Sequence, residues 1–238
     1  MKKVLFKFSR RLLKLVILLV PSSSKLFLDF LNYYFHEDKE NELYNLKKLI
    51  HQGGNAIDVG ANKGLWSYAL SKQKKIFKIY SFEPNKKITK TLHNYNCNRI
   101  KIYNLALSDQ NKKRVLQIPL YKNMILDGWA TLERKDHSKN NFNKFKKITI
   151  KTKKLDDFHF KNISFIKIDV EGHELSLLRG AKKFFKLNKP NCLIEIKKNN
   201  LSKVKKFFND LNVKYSCVSK KNYSFKFSKE NYFFSINK

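Results

Sequence analysis

Acidic residues are what this sequence most conspicuously lacks: 19 Asp and Glu stand against 51 Lys and Arg, a formal charge of +32 over 238 residues. A surface so unbalanced concentrates polyanions, which brings nucleic acid and anionic membranes forward as partners. Arginine is nevertheless scarce, occurring only at Arg10, Arg11, Arg99, Arg114, Arg134 and Arg179. Almost all the positive charge is therefore lysine, whereas bidentate recognition of phosphates and base edges favours the arginine fork. The lysines come with abundant Asn, Ile, Phe and Tyr and few Gly, Pro and Ala, the bias that an A+T-rich coding sequence imposes whatever the function. The charge reads as a solvated lysine surface, and nucleic acid as the lesser candidate partner.

Cysteine is nearly absent too. Cys97, Cys192 and Cys217 are odd in number and lack Cys-x-x-Cys spacing, which argues against a disulfide framework and suits reduced residues of a cytoplasmic protein. Long hydrophobic runs are missing from the N-terminus, where the longest uncharged apolar run is Leu15 to Val20, far short of the ~20 residues that span a bilayer. Met1 to Val20 alternates basic residues with Leu, Phe and Val, and with Ser22-Ser23-Ser24 it imitates a signal peptide, although the cofactor argument below disfavours export. Two readings stay open for this segment. One is a basic amphipathic helix giving peripheral contact with the inner face of the membrane through residues 1–35; the other is a helix capping the domain's own apolar surface.

What is present falls into two parts, an N-terminal basic helical extension over 1–50 and a single α/β domain over 51–238. Leu26, Phe27, Phe30, Leu31 and Tyr34 recur at helical spacing, as do Leu43, Leu46 and Ile50. Past Gly53-Gly54, short β-rich runs alternate with helical ones, which predicts βαβ units and a doubly wound, mostly parallel sheet. The expected strands are Ala56 to Val59, Ile76 to Phe82, Ile100 to Leu105, Ile163 to Ile168 and Cys192 to Ile196, with Val213 to Val218 and Tyr232 to Ile236 as a closing antiparallel pair. Between Lys112 and Thr152 the rhythm breaks: strand-like Val115 to Ile118 and Ile148 to Thr152 flank a polar loop, an insertion expected over the strand ends.

Glycine is rare, so its placement is informative. Gly60 and Gly64 bracket a turn between a strand and a helix, where the backbone must approach a ligand closely. Asp58, at the end of the strand, is placed to accept from the amino group of an amino-acid moiety. Glu83 follows 19 residues past Gly64 on the end of the second strand, where a carboxylate can accept from both ribose hydroxyls of an adenosine. The missing third glycine argues against a dinucleotide pyrophosphate, which needs more contacts at the helix N-terminus. S-adenosyl-L-methionine, which carries no phosphate, is the expected cofactor.

At this point the sequence resembles the FkbM family of S-adenosylmethionine-dependent methyltransferases. The resemblance runs from about Asn55 to Ile196 through Ile57-Asp58-Val59-Gly60-Ala61-Asn62-Lys63-Gly64, Phe82-Glu83-Pro84, Ala106-Leu107-Ser108-Asp109, Leu155-Asp156-Asp157 and Phe165 to Ala181. It implies a class I methyltransferase fold, Rossmann-like, with a seven-stranded sheet whose seventh strand is antiparallel, and O-methylation of sugar or polyketide-type hydroxyls. It also implies a cofactor site at Asp58, Gly60, Ala61, Asn62, Gly64 and Glu83, with Ser108 and Asp109 near the adenine. The acceptor would be a small molecule or a glycan- or lipid-linked one.

Methyl transfer needs an aligned acceptor and a base for its hydroxyl proton. Asp169, Glu171, His173 and Glu174 follow the fourth strand, where an open α/β sheet presents its crevice. Asp169 is the first choice as base, with Glu171 or His173 next; Glu171 or Glu174 as favourable charges near a helix start, and His173 as a first-turn residue, are the plain alternatives. Clustered acids permit a divalent ion, but no second spaced group calls for one and no metal is expected. Trp129 and His137 in the insertion could form a lid or a sugar-stacking face, and Glu195 could line the acceptor pocket. Two other classes compete with O-methylation. A nucleic-acid methyltransferase would suit the charge, but Asp169-Val170-Glu171-Gly172 stands where amine methyltransferases carry an Asn-Pro-Pro-Tyr-like run, and Cys192 opens a buried strand rather than offering a nucleophile. A non-catalytic membrane-associated module would not need the Asp58, Gly60, Gly64 and Glu83 set.

Overall fold

The computed structural model describes residues 27–28, 30, 41–121, 124–133, 144–218, 223–225, 227–228 and 230–236. Its elements run α1 (Asn41–Tyr44), α2 (Leu46–Leu49), β1 (Gly54–Val59), α3 (Leu65–Ser71), β2 (Ile76–Phe82), α4 (Lys90–Tyr95), β3 (Ile100–Tyr103), β4 (Ala106–Leu107), β5 (Lys112–Tyr121), β6 (Met124–Ile125), β7 (Lys144–Lys153), β8 (Ile163–Ile168), α5 (Glu174–Arg179), α6 (Lys182–Asn188), β9 (Asn191–Glu195), α7 (Leu201–Asn209), β10 (Tyr215–Cys217) and β11 (Asn231–Ile236).

Seven strands form the main sheet in the order β10-β11-β9-β8-β1-β2-β3. All its other neighbours pair in parallel, while β11 runs antiparallel to both β9 and β10. This is the Rossmann-like arrangement expected of the chain, with the closing antiparallel pair in place. The central strand β8 is buried along its whole length, as a parallel strand covered by helices on both faces must be. Side chains alternate across the sheet. Ile57, Val59, Ile166, Ile168 and Ile194 face one apolar cluster with Leu177, Leu178, Phe185, Val204 and Phe208 from α5, α6 and α7. Ala56, Ile79, Phe165 and Leu193 face the other, with Trp66, Ala69 and Leu70 of α3.

That second cluster includes Leu43, Leu46, Leu49 and Ile50. Fully buried Glu42 accepts from the Ser228 N–H at 2.6 Å and the Ser228 hydroxyl at 3.0 Å. Residues 41–50 therefore pack against the second cluster of the sheet. Most of residues 1–35, including the segment from which membrane contact was expected, lies outside the described residues. Among the described residues no helix is long and apolar enough to cross a membrane.

Two element expectations change. The third strand stops at Tyr103 rather than Leu105, and Ala106–Leu107 leaves the main sheet to pair in parallel with β7. The insertion is a second sheet, β4-β7-β5-β6, in which β5 and β7 pair antiparallel from Lys112↔Thr152 to Leu120↔Lys144. These ten-residue strands outrun the four or five residues that read as strand, because lysines occupy many of their remaining positions and mask the alternation. One face of the small sheet buries Leu116, Ile118, Leu132 and Ile150, and Leu116 and Leu132 share a cleft with Val59, Glu83 and Asp169 at the ends of the main strands. Further along, one helical run divides into α5 and α6 at Gly180, where an added Cβ would stand 2.0 Å from the Ser108 carbonyl oxygen.

Candidate active site

Backbone geometry alone fixes the first wall of the site. Gly60 has φ +79°, and a Cβ there would lie 1.8 Å from the carbonyl oxygen of Asp169. Only glycine permits both the dihedral and the approach. The Gly60 and Ala61 N–H groups both donate to the Phe82 carbonyl at 3.0 Å, and the Asp169 N–H donates to Val59 at 3.0 Å. The ends of β1, β2 and β8 are thereby drawn together. Gly64, with φ +96°, has no room for a Cβ either, since it would meet the Leu92 side chain at 2.6 Å.

Glu83 follows β2 directly and is 6% exposed. Its Oε2 accepts from the Asn62 N–H at 3.1 Å and its Oε1 from the Asn85 N–H at 2.9 Å. Burial lifts its pKa from 4.5 to about 7, against the lowering effect of those two bonds. A fixed, buried carboxylate at the end of the second strand is thus aimed by backbone from two loops.

A cleft opens beside it, between the strand ends and the insertion. Gly60, Asn62, Glu83 and Pro84 line one side, Leu105, Ala106 and Leu107 a second, and Asp169, Val170, Glu171 and His173 a third. Asp127, Gly128, Ala130 and Leu132 complete it from the insertion. That last strip is tied to both sides: Asn85 donates to Asp127 at 3.0 Å, the Thr131 hydroxyl to the Glu171 carbonyl at 2.9 Å, and Glu133 meets His173. The strap was invisible in the sequence, where neither Asp127 nor Glu133 belongs to a motif.

Of the predicted site residues, the structure brings Gly60, Asn62, Glu83, Asp169, Glu171 and His173 to this cleft. Asp58, Ala61, Gly64, Ser108 and Asp109 stand behind or beside its lining. Asp58 lies wholly buried on the α3 side of the sheet, where Oδ2 accepts from Ser67 at 2.5 Å and Oδ1 has no hydrogen-bond partner. Burial raises its pKa, with Lys167 opposing. It braces the turn from beneath. Ala61 is buried in the turn itself and Gly64 packs on α4. Ser108 is fully buried and spans from the Asp109 carboxylate, at 3.2 Å, to His173 Nε2, at 2.9 Å.

His173 is 2% exposed. Its Nδ1 lies 2.5 Å from Glu133 Oε1 and its Nε2 against Ser108, so both ring nitrogens are engaged. Burial lowers its pKa, with Glu133 acting the other way. Asp169 Oδ2 accepts from Lys167 Nζ at 2.8 Å, a buried ammonium that also lies over the Trp66 ring at 5.4 Å. Glu174 opens α5 with Oε1 accepting from the Gly172 N–H at 2.7 Å. The sequence missed a third acid for the cluster at the strand ends: carboxylate oxygens of Asp169, Glu171 and Glu195 lie within 4.8 Å of one another. Such oxygens could hold a hard divalent cation, although no metal was expected. Lys197 stands 4.0 Å from Glu171 and offsets part of the charge.

Glu174 gives a pH-dependent expectation. Burial raises its pKa from 4.5 to about 7, so between those values the folded chain binds more protons than the unfolded one, and this residue's contribution to stability falls as pH rises. The variant Glu174→Gln lacks that titration. Measured by thermal unfolding, its stability relative to wild type is expected to rise from pH 5 to pH 7 by on the order of 2 kcal/mol.

Comparison with known proteins gives one family and a set of folds. The family described as "Methyltransferase FkbM domain" matches residues 58–226. A solved FkbM methyltransferase from Methylobacillus flagellatus KT superposes with a TM-score of 0.55 and 18% identity, covering 90% of this chain and 54% of that one. The chain thus spans about half the length of that relative. A precorrin-6y C5,15-methyltransferase from Geobacter metallireducens GS-15 gives a TM-score of 0.44 at 12% identity, covering 82% of this chain and 86% of that one. A precorrin 8w decarboxylase from Methanobacterium thermoautotrophicum gives 0.45 at 12%, covering 84% and 90%. No curated protein sequence matches the chain.

Proposed function

The chain belongs to the FkbM methyltransferase family, and from that premise we propose that it is an S-adenosylmethionine-dependent O-methyltransferase. Its acceptor is a hydroxyl on a sugar, on a glycolipid or polysaccharide precursor, or on a small metabolite. The observation that carries this reading is one cleft lined by both a backbone-anchored Glu83 and a strand-end Asp169.

Glu83 suits a nucleoside ribose, because a carboxylate held by two N–H groups keeps further lone pairs for vicinal hydroxyls. Leu105 and Leu107 offer an apolar wall for a flat base, and Asn62 presents its side of the turn. S-adenosylmethionine supplies an electrophilic methyl group when bound. Asp169 takes the acceptor's proton: Lys167 fixes Oδ2, and the carboxylate has a second oxygen for the hydroxyl. His173 is better suited to positioning than to proton abstraction. With Nδ1 against Glu133 and Nε2 against Ser108, it joins the insertion to the loop after β8 and keeps the cleft wall in place. The reading supports a cytoplasmic enzyme, since that is where its cofactor is made available.

Acceptor class is tested by transfer of labelled methyl from S-adenosylmethionine into fractionated lysate. Label is expected in a nuclease-resistant carbohydrate or lipid fraction, in an alkali-stable ether rather than an ester. Nuclease-sensitive label would make the acceptor a nucleic acid and the lysine surface its binding face.

A further inference from the structure

The second sheet ends in an apolar finger. β6 is its edge strand, paired to β5 through Leu120↔Ile125 and Tyr121↔Met124. Tyr121 is 40% exposed, Met124 60%, Ile125 45% and Trp129 50%. The sheet's own core uses a different set, Leu116, Ile118, Leu132 and Ile150. Four large side chains are thus about half exposed within nine residues of sequence, and such clusters mark interaction surfaces. Trp129 belongs to the turn Asp127–Trp129, of which Asp127 and Gly128 line the cleft. The finger therefore stands at the cleft's rim.

The strand beside it is basic. β7 sets Lys144, Lys146 and Lys147 opposite Leu120, Ile118 and Gln117 at the finger's end of the sheet, with no acid on β5, β6 or β7. The neighbouring Asp127 is engaged by Asn85. Exposed Trp and Tyr beside aliphatic side chains, flanked on β7 by three lysines, match the interfacial zone of a bilayer with anionic headgroups, where amphipathic rings and alkyl chains enter and ammonium groups stay with the phosphates. Single-stranded nucleic acid fits less well, since Met124 and Ile125 present no π-face for stacking.

We propose that the β5–β6 finger and Trp129 dock the rim of the cleft on an anionic membrane surface. The docking needs no cofactor. Its consequence for the substrate, that the acceptor hydroxyl belongs to a molecule carried in that membrane, rests on the methyltransferase reading.

Tryptophan emission of the full chain tests the contact. Of the two tryptophans, Trp66 is 5% exposed in the core, so a change on vesicle binding reports Trp129. With phosphatidylglycerol-containing vesicles the emission is expected to shift to the blue and to be quenched by acyl-brominated lipid; neither change is expected with phosphatidylcholine alone or in Trp129→Phe. The double variant Met124→Asp/Ile125→Asp is expected to lose about tenfold or more in vesicle affinity while binding S-adenosylhomocysteine as the parent does, which keeps a failure of docking separate from a failure of the cofactor reading. Three outcomes overturn the proposal: no binding to anionic vesicles, binding with unchanged Trp129 emission, which would move the contact elsewhere in the chain, or an emission shift with an oligonucleotide and none with vesicles.

Discussion

Asp169→Asn is expected to slow methyl transfer by about 10³-fold while leaving affinity for S-adenosylhomocysteine within about threefold of wild type, because a positioned general base contributes roughly 10²–10⁴ in rate. Asparagine keeps an oxygen for the Lys167 ammonium, so the hydrogen bond now seen at 2.8 Å has a successor. What disappears is the capacity to hold a proton. Lys167 keeps a neighbouring carboxyl in Asp58, where it opposes the raising effect of burial, and the fold should tolerate the change. His173→Gln is the informative companion. Glutamine can still bridge Glu133 and Ser108 in part, so a positioning role predicts a loss of about tenfold in rate. Full activity in Asp169→Asn with none in His173→Gln would transfer the proton to His173.

The sequence announced the main sheet because its central strands β1, β8 and β9 are buried along nearly their whole length. Ile76–Phe82 and Ile163–Ile168 are observed with the bounds that their apolar runs imply. Gly60 was legible for a similar reason: few residues can occupy a strand-to-helix turn pressed against a neighbouring carbonyl, and the chain spends one of its seven glycines there. Glu83 could be placed by its position at the end of the second strand.

A carboxylate at a strand end, such as Asp58, looks the same in sequence whether it faces a ligand or the helix behind. Ser67, Ser81 and Lys167, from three different elements, decide the matter, and no local pattern connects them. The contact of Ser108 with His173 was equally hidden, since the two lie 65 residues apart in the chain. The strap from Asp127 to Glu133 and the meeting of Glu195 with Asp169 and Glu171 are products of tertiary packing alone.

Glu83 is the residue on which the cofactor site depends. Its two carboxylate oxygens are buried, fixed by Asn62 and Asn85, and set in the wall of the cleft. Hydrogen bonds to a charged group are worth about 1.5–3 kcal/mol each, so losing those to two ribose hydroxyls would weaken binding by about 100-fold or more. Glu83→Ala also strands the two N–H groups, whereas Glu83→Gln keeps an acceptor for one of them and should lose about tenfold. Calorimetric titration of the full chain with S-adenosylhomocysteine, wild type beside both variants, with folding of each checked by thermal unfolding, is the most direct measurement. Saturable one-to-one binding by wild type, weakened about tenfold in Glu83→Gln and about 100-fold in Glu83→Ala, is the predicted result. A wild-type chain that does not bind, or a folded Glu83→Ala that binds equally well, would contradict the account.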